Sequence, residues 1–400
     1  MDYSKYFDWA ATSPLDEEIA FSALKQACQF FGNPSAVHCE GVKARNLLEQ
    51  TRKKAASILG VSEQHVFFTS GGTESDHIPL LAQLSRPKDS FGKKGTIIIS
   101  GIEHPALREQ SAVLKNEGFS VVCVNPDSSG FVSPEKLKNS LTDDTVFVSV
   151  MAVNNETGCV QDIAGIGKML AEEYAGKRKP HFHTDCIQAA GKILLDLSDK
   201  NIDSAALSAH KIMGPRGIGI LVLKKNIKPF LCGGGQERGF RSGTENLFGA
   251  LAFTSCLEKF YLNKNKPEDE KLARLNQQFS LTEYFINELC KIPGCKIIPE
   301  TRTENNFSGR ELFSPYVLQV SFNGIPGNVM VRALDSMGFS ISTGSACSAK
   351  KQSRPILEAM GLNRQIQDTA VRFSFGPFTE RKEIEDLLDA VKKVAEDFCL

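Results

Sequence analysis

The sequence predicts an α/β fold built on a mainly parallel sheet of seven strands. Short runs rich in β-branched residues recur up to about residue 225 and alternate with stretches that have helical spacing. Several of these runs are apolar throughout, as expected of strands that are buried on both faces of a sheet. Alternation of strand and helix along the chain is typical of a parallel sheet with helical crossovers.

Seven runs are predicted as the strands of this sheet, and four stretches between them as helices. The strands are HVFFTS (65–70), TIIIS (96–100), SVVCVN (120–125), TVFVSVMAV (145–153), HFHTD (181–185), SAALSAH (204–210) and GIGILVLK (217–224). The helices are ESDHIPLLAQLS (74–85), HPALREQSAVLKNEG (104–118), SPEKLKNSL (133–141) and IAGIGKMLAEEYAG (163–176).

The pattern changes near residue 260. A polar stretch with Pro267 and several acidic residues predicts the start of a long helix that continues to about Cys290. Two further strands, a helix between them and a C-terminal helix follow, which is an α+β pattern. We therefore predict a large domain over residues 16–260, and a smaller α+β domain formed by residues 1–15 and 261–400.

Composition and charge narrow the class of protein. Lys plus Arg and Asp plus Glu both number 47, so the formal net charge is zero and nucleic acid is disfavoured as a direct partner. The first residues, MDYSKYFDWAATSP, lack the apolar core of a signal peptide. No apolar run approaches the roughly 18 residues that span a bilayer. These observations predict a cytoplasmic protein that makes no membrane contact.

The eleven cysteines do not form a recognisable framework. Their number is odd and none form a C-x-x-C pair, which disfavours a disulfide scaffold and a zinc site. We expect reduced and mostly buried thiols, with no bound metal. Cys186 is interpreted as a small buried apolar residue.

Three local signals are each ambiguous. TSGGTESD (69–76) places two glycines before a helix, which suits a phosphate, although simple capping with Thr73 as the N-cap is favoured when the stretch is taken alone. Asp185 ends a buried strand, where it either caps a turn or faces a buried cation such as a pyridinium nitrogen. Lys211 follows another strand end in SAHKIMGPRGIGILVL, and a structural lysine is the commoner case there.

The order of these signals is more informative than any one of them. A phosphate loop, then an acid, then a lysine are what pyridoxal phosphate needs: an anchor for its phosphate, a partner for its ring nitrogen and an amine for its aldehyde carbon. Ligands bind at strand ends in α/β sheets, where all three signals fall. The order therefore favours pyridoxal phosphate as the cofactor.

Matching stretches run along the whole chain, and on them it resembles the cysteine desulfurases of the NifS/IscS group, which are fold-type I pyridoxal-phosphate enzymes. They are YFDWAATSP (6–14), FGNPSAVH (31–38), FTSGGTESD (68–76), GIEHPA (101–106), VNNETGCVQDI (153–163), HTDCIQAAGK (183–192), SAHKIMGPRGIG (208–219), GGGQERGFRSGTEN (233–246), STGSACS (342–348) and VRFSFG (371–376).

The resemblance implies a role for each matching residue. Lys211 would hold the cofactor and move the substrate's α-proton, Asp185 would pair with the ring nitrogen, and Gln188 would contact the ring's phenolic oxygen. His104 would stack on the ring and assist proton transfer. The remaining assignments are Gly72, Thr73, Ser208 and His210 for the phosphate, Thr244 for the phosphate of a partner subunit's site, and Asn155 with Arg372 for the substrate carboxylate.

Cys347 is predicted as the nucleophile. It lies in STGSACSAKKQS, a run of small and polar residues that has neither helical nor strand periodicity and indicates an exposed loop of the smaller domain. Lys350 and Lys351 would favour the thiolate, the reactive form. Without the resemblance, a harmless surface thiol would be the better interpretation.

The resemblance implies that L-cysteine is converted to L-alanine, with its sulfur left as a persulfide on Cys347. It further implies a homodimer and a protein that accepts the sulfur, either a scaffold for iron–sulfur clusters or an enzyme that thiolates tRNA or a cofactor. Two alternatives remain open. One is a selenocysteine lyase or another fold-type I enzyme such as an aminotransferase, and the other is a degenerate scaffold without activity.

Overall fold

The first sheet contains the seven predicted strands. The computed structural model describes residues 2–304, 311–344 and 354–398. The strands are β1 (Val66–Thr69), β2 (Gly95–Ser100), β3 (Phe119–Val124), β4 (Thr145–Ser149), β5 (His181–Asp185), β6 (Ser204–Ser208) and β7 (Gly219–Leu223). They lie in the order β1-β7-β6-β5-β4-β2-β3.

Most of this sheet is parallel, as predicted. Strands β3, β2, β4, β5 and β6 pair in parallel, whereas β7 is antiparallel to both of its neighbours, β6 and β1. Strands β1, β4, β5, β6 and β7 are buried along their whole length, which explains the apolar runs of β1, β4 and β7, whereas β5 (HFHTD) is buried although most of its residues are polar. The expected fold class is therefore confirmed.

Thirteen helices lie within the described ranges. They are α1 (Glu17–Gln29), α2 (Cys39–Leu59), α3 (Gly72–Leu81), α4 (Pro105–Leu114), α5 (Pro134–Asn139), α6 (Ile163–Glu173), α7 (Leu247–Phe260), α8 (Asp269–Leu289), α9 (Thr301–Glu304), α10 (Gly327–Ser336), α11 (Pro355–Ala359), α12 (Arg364–Thr369) and α13 (Arg381–Phe398). Helices α3 to α6 correspond to the four predicted ones, each shorter than its predicted range.

A second, smaller sheet follows α8. Its strands are β8 (Cys295–Ile298), β9 (Val317–Phe322) and β10 (Ala370–Ser374), all antiparallel, in the order β10-β9-β8. Apolar residues of α8, α10 and α13 pack with this sheet in one core. This is the α+β unit that the change of pattern near residue 260 predicts.

The two hydrophobic cores meet between residues 261 and 262. Tyr261 packs in the core beside the first sheet, and the next residue, Leu262, packs in the core of the second. The N-terminal segment joins both, because Phe7 belongs to the second core and Trp9 to the first. We propose on this packing that the domains divide near residue 260, with the N-terminal segment lying between them.

Candidate functional site

A cavity of about 250 Å³ opens where β4, β5 and β6 end at their carboxyl edge. Ten of the twelve residues predicted for the site line it: Gly72, Thr73, His104, Asn155, Asp185, Gln188, Ser208, His210, Lys211 and Arg372. Ala10, Ala11, Met151 and Ile187 complete the lining. The structure thus brings together residues that are widely separated along the chain, at the sheet edge where ligands of α/β proteins bind.

Lys211 ends a short 3₁₀ turn, Ala209–Lys211, that directly follows β6. Its Nζ donates hydrogen bonds to the carbonyl oxygens of Ala10 and Ala11, both at 2.6 Å. The N-terminal segment therefore holds the amine inside the cavity. A lysine is suited to forming a Schiff base with a carbonyl compound, as pyridoxal phosphate requires.

Two glycines after Lys211 let its loop pack closely against the neighbouring loop. Gly217 has φ of +82°, a left-handed conformation that L side chains rarely adopt. A Cβ atom at Gly219 would come within 2.6 Å of the backbone of Gly71. Any larger residue at this position would therefore push β7 away from the glycine loop that follows β1. The cluster of glycines behind Lys211 thus brings the lysine loop and the predicted phosphate loop together.

The beginning of α3 offers a place for an anion. Gly71 is the N-cap of α3. Because glycine has no side chain, the first amides of the helix donate no hydrogen bond to a capping side chain. Thr73 lies within the first turn, so the interpretation of Thr73 as the N-cap was wrong. Ser208 and His210 line the same region, together with Arg216, which the sequence did not single out. Free amides at a helix N-terminus beside hydroxyl and basic groups fit a phosphate.

Asp185 is a buried carboxylate with little to neutralise its charge. It is 3% exposed, and its Oδ1 accepts a hydrogen bond from the backbone N–H of Ile187 at 2.8 Å. Burial, followed by the nearby Asp76, raises the pKa of Asp185 to about 8. An opposing cation would reverse that shift, so this carboxylate fits a protonated pyridine nitrogen.

Sequence reasoning missed the polar layer beneath Asp185. His183 Nε2 lies 3.1 Å from Asp76 Oδ1, and His183 Nδ1 lies 2.8 Å from the Ser204 hydroxyl. Burial lowers the pKa of His183 to about 4 and raises that of Asp76 well above its usual value. The His183 imidazole is therefore neutral near pH 7 and brings no cation that would compete with a cofactor's ring nitrogen for Asp185.

His104 is the N-cap of α4. Its Nδ1 accepts a hydrogen bond from the backbone N–H of Ala106 at 3.2 Å, which places the proton of the neutral ring on Nε2. Burial, and then the charge of Lys211, lowers the pKa of His104 to about 4. The imidazole is thus neutral near pH 7 and can stack on an aromatic ring without bringing a charge to it.

Gln188 is fixed by two groups that the sequence did not single out. Its Nε2 donates to the Ala10 carbonyl oxygen at 2.8 Å, and its Oε1 accepts a hydrogen bond from Lys192 Nζ. Lys192 is 5% exposed, and burial, with Lys211 and Arg372 nearby, lowers its pKa well below the usual value. Lys192 therefore sets the orientation of the Gln188 amide.

Arg372 on β10 brings the smaller sheet into the site. Its Nη1 donates to the Asn155 carbonyl oxygen at 2.8 Å, and its Nη2 pairs with Asp8 at 2.7 Å. Among the described residues, the buried Arg372 Nε and Asn155 Oδ1 have no hydrogen-bond partner. The unmet Arg372 Nε–H is a donor and suits a substrate carboxylate, whereas Asn155 Oδ1 would accept from a donor such as an amino group. The contact of Arg372 with Asp8 was not predicted.

One predicted site residue lies elsewhere, and one is not described by the structure. Thr244 is exposed and does not line the cavity. Its segment is anchored by a buried ion pair at 2.6 Å between Arg52 and Glu237, both below 5% exposed. The role of Thr244 towards a partner subunit stays a prediction, and Cys347 lies outside the described residues.

The expectation of mostly buried thiols was wrong for the described cysteines, because five of the nine are exposed and only Cys159, Cys186 and Cys256 are buried. Nine cysteines lie in the described ranges and none of these is in a disulfide. Cys186 is fully buried, as predicted, and burial raises its thiol pKa. Within the same ranges, no His, Cys, Asp and Glu residues group as metal ligands do, and no helix is long and apolar enough to cross a membrane.

Asp185→Asn tests the assignment of the ring-nitrogen partner. We expect kcat to fall about a hundredfold or more, because removal of one preorganised charge at the reacting centre typically costs that much. The cofactor should stay bound through its phosphate contacts. Asp162→Asn is the matched control, because Asp162 is the exposed N-cap of α6 and asparagine caps equally well. Steady-state kinetics that found Asp185→Asn as active as this control would contradict the assignment.

Comparison with known proteins gives a consistent result. The family model described as aminotransferase class-V matches residues 5–387. A cysteine desulfurase IscS of Methanosarcina thermophila is 35% identical over 398 residues, which cover 98% of this chain and 92% of that protein. A NifS/IcsS protein homolog of Lactobacillus delbrueckii subsp. bulgaricus is 36% identical over 397 residues, which cover 98% and 97%.

Solved structures resemble the chain in the same way. A NifS-like protein superposes with a TM-score of 0.85 at 31% identity, covering 98% of this chain and 99% of that one. A structure described as SspA in complex with cysteine has a TM-score of 0.76 at 29% identity, covering 94% and 100%. Both likenesses extend over both sheets.

Proposed function

The chain belongs to the aminotransferase class-V family, and on that premise we propose that it is a pyridoxal-phosphate-dependent cysteine desulfurase. It would take sulfur from L-cysteine and release L-alanine. One observation carries the proposal: Lys211, Asp185 and Arg372 line a single cavity, so a lysine, an acid and a carboxylate-binding guanidinium converge. The full-length similarity to cysteine desulfurases supports the choice of substrate.

The residues of the cavity would divide the work among them. When bound, pyridoxal phosphate supplies an electron sink that stabilises negative charge at the substrate's α-carbon. The first turn of α3, with Ser208 and His210, binds the phosphate, and Asp185 keeps the proton on the ring nitrogen. Arg372 and Asn155 orient the substrate by its carboxylate. Lys211 Nζ then takes the proton from the α-carbon and later returns it.

Cys347 would receive the sulfur. Its thiolate attacks the sulfur of the bound cysteine, a sulfur–sulfur bond forms and the carbon–sulfur bond breaks. The electron pair of the broken bond remains with the carbon, which is protonated as alanine is formed. The balance is L-cysteine plus a thiol giving L-alanine plus a persulfide, so no outside oxidant or reductant enters this step.

The sulfur would then pass to a second protein, either a cluster scaffold or a thiolation enzyme. A persulfide on a loop suits transfer because the sulfur must leave the cavity to meet an acceptor. The proposal includes a homodimer, in which exposed Thr244 reaches the partner's phosphate site, and a cytoplasmic location that keeps the free thiols reduced.

The holoenzyme with L-cysteine and dithiothreitol tests the proposed activity. We expect equal amounts of alanine and sulfide, because the reductant releases one sulfide from each persulfide that forms. Release of pyruvate and ammonia would indicate an eliminating lyase. 3-Mercaptopyruvate without sulfide, formed only when a keto acid is added to accept the amino group, would indicate an aminotransferase. A preference for selenocysteine that leaves L-cysteine unreacted would replace the proposal with a selenocysteine lyase.

A further inference from the structure

A second cavity, of about 510 Å³, lies at the opposite edge of the first sheet from Lys211. Strands β2, β4 and β5 begin at this cavity, and the segment after β7 runs along it. Its size is that of a small-molecule site. Because it shares no lining residue with the cavity around Lys211, it is a separate feature of the fold.

The lining of this cavity is strongly basic. Eight lysine and arginine residues line it, against three aspartates, in a chain whose formal net charge is zero. Two of those aspartates have local partners: Asp143 pairs with Lys177 at 3.0 Å, and Asp144 accepts hydrogen bonds from two threonine hydroxyls. Positive charge is therefore concentrated in a concave surface, where it attracts anions most effectively.

The arginines of the lining differ from two of its lysines, Lys179 and Lys225, which pair with Asp203 at 3.1 Å and 3.9 Å. In the described part of the chain, neither Arg86 nor Arg178 has an ion-pair partner among the acidic residues. Burial lowers the pKa of Arg86, and the neighbouring Arg178 lowers it further. Burial also lowers the pKa of Lys225. Asp203 offsets part of this shift, and the charges of Lys179, Arg178 and Arg86 add to it. A multivalent anion would relieve the repulsion.

We propose that this cavity binds a small, multiply phosphorylated anion. Guanidinium groups bind phosphoryl oxygens in pairs, and Arg86 and Arg178 could do so from two sides of the cavity while the lysines neutralise the remaining charge. The volume accommodates a nucleotide or an inorganic polyphosphate, and an extended nucleic acid would need a basic surface beyond the cavity. This proposal is independent of the desulfurase activity.

The test uses tripolyphosphate as the probe and isothermal titration of the holoenzyme, in which the cofactor already occupies the phosphate site near Lys211. We expect saturable binding that weakens with added salt. Arg86→Gln and Arg178→Gln should each raise Kd about tenfold, because a charge-assisted hydrogen bond contributes about that factor. Lys53→Gln is the matched control, since Lys53 is exposed on α2 and lies outside the lining, and its Kd should change less than about twofold.

Each possible result decides the proposal. Cofactor absorbance and thermal melting of the variants confirm that they are folded, since neither arginine lies near the catalytic cavity. Absence of saturable binding at millimolar tripolyphosphate would overturn the proposal, as would an equal loss of affinity in Lys53→Gln. Tighter binding of a short single-stranded RNA at the same phosphate concentration would replace the small anion with nucleic acid. A comparison of the Kd for ATP with the Kd for tripolyphosphate distinguishes a nucleotide site from a site for inorganic polyphosphate.

Discussion

Lys211→Ala is expected to lower desulfurase turnover by about 10⁴-fold or more, because one residue supplies both the amine that holds the cofactor and the base for the α-proton. The hydrogen bonds from Nζ to the Ala10 and Ala11 carbonyls would be lost as well. The absorbance band of the lysine-bound cofactor should disappear, while phosphate contacts around α3 still retain the cofactor without a covalent bond.

Lys211→Arg separates the amine's chemistry from its charge. Arginine keeps a positive donor beside the same carbonyls but stays protonated and cannot form a Schiff base. We expect the arginine variant to be as inactive as the alanine variant. Lys168→Ala, on the exposed surface of α6, is the control and should behave as wild type. Substantial turnover by Lys211→Arg would show that Lys211 acts only through its charge, which would contradict the proposed mechanism.

Cys347→Ala is expected to abolish sulfide formation while leaving cofactor binding unchanged. Removal of the thiol takes away the atom that accepts sulfur, and the cavity around Lys211 keeps all of its described lining residues. L-cysteine should therefore still bind and alter the cofactor's absorbance without release of alanine. Serine at this position should be equally inactive, because a hydroxyl is a far poorer nucleophile than a thiolate at neutral pH.

A second cysteine variant controls for the loss of a thiol as such. Cys28 is an exposed free cysteine on α1, and alanine is an excellent helix former, so Cys28→Ala should retain wild-type activity and stability. Sulfide and alanine production by Cys347→Ala at the rate of Cys28→Ala would show that another group accepts the sulfur.

The sequence predicted the strands well and some helices poorly, for physical reasons. Strands β4 and β7 are short and apolar with β-branched residues, so burial on both faces is visible in the sequence. Helix α7 was missed because it is buried on most of its faces and lacks an amphipathic period. Helix α2 buries small residues such as Ala44 and Ala55, which give only a weak apolar stripe.

For the candidate site, too, some residues could be predicted from the sequence and others could not. Asp185 and Lys211 could be recognised because each lies at or just after a strand end, whereas Arg372, in the middle of β10, was assigned only through the family resemblance. The partners that fix them could not, since Ala10 and Lys211 are 201 residues apart and Asp8 and Arg372 are 364 apart. Lys192 resembled any other lysine in the sequence, and only burial beside Gln188 gives it a role.

The central claim is that sulfur from L-cysteine becomes covalently attached to Cys347. A single turnover without reductant tests it most directly: holoenzyme is mixed with one equivalent of L-cysteine, alanine is measured, and the protein is mapped by mass spectrometry. We predict one alanine per subunit and the mass of one additional sulfur atom on the peptide that contains Cys347. Alanine released with free sulfide and an unmodified Cys347, or with the sulfur on another cysteine, would contradict the account.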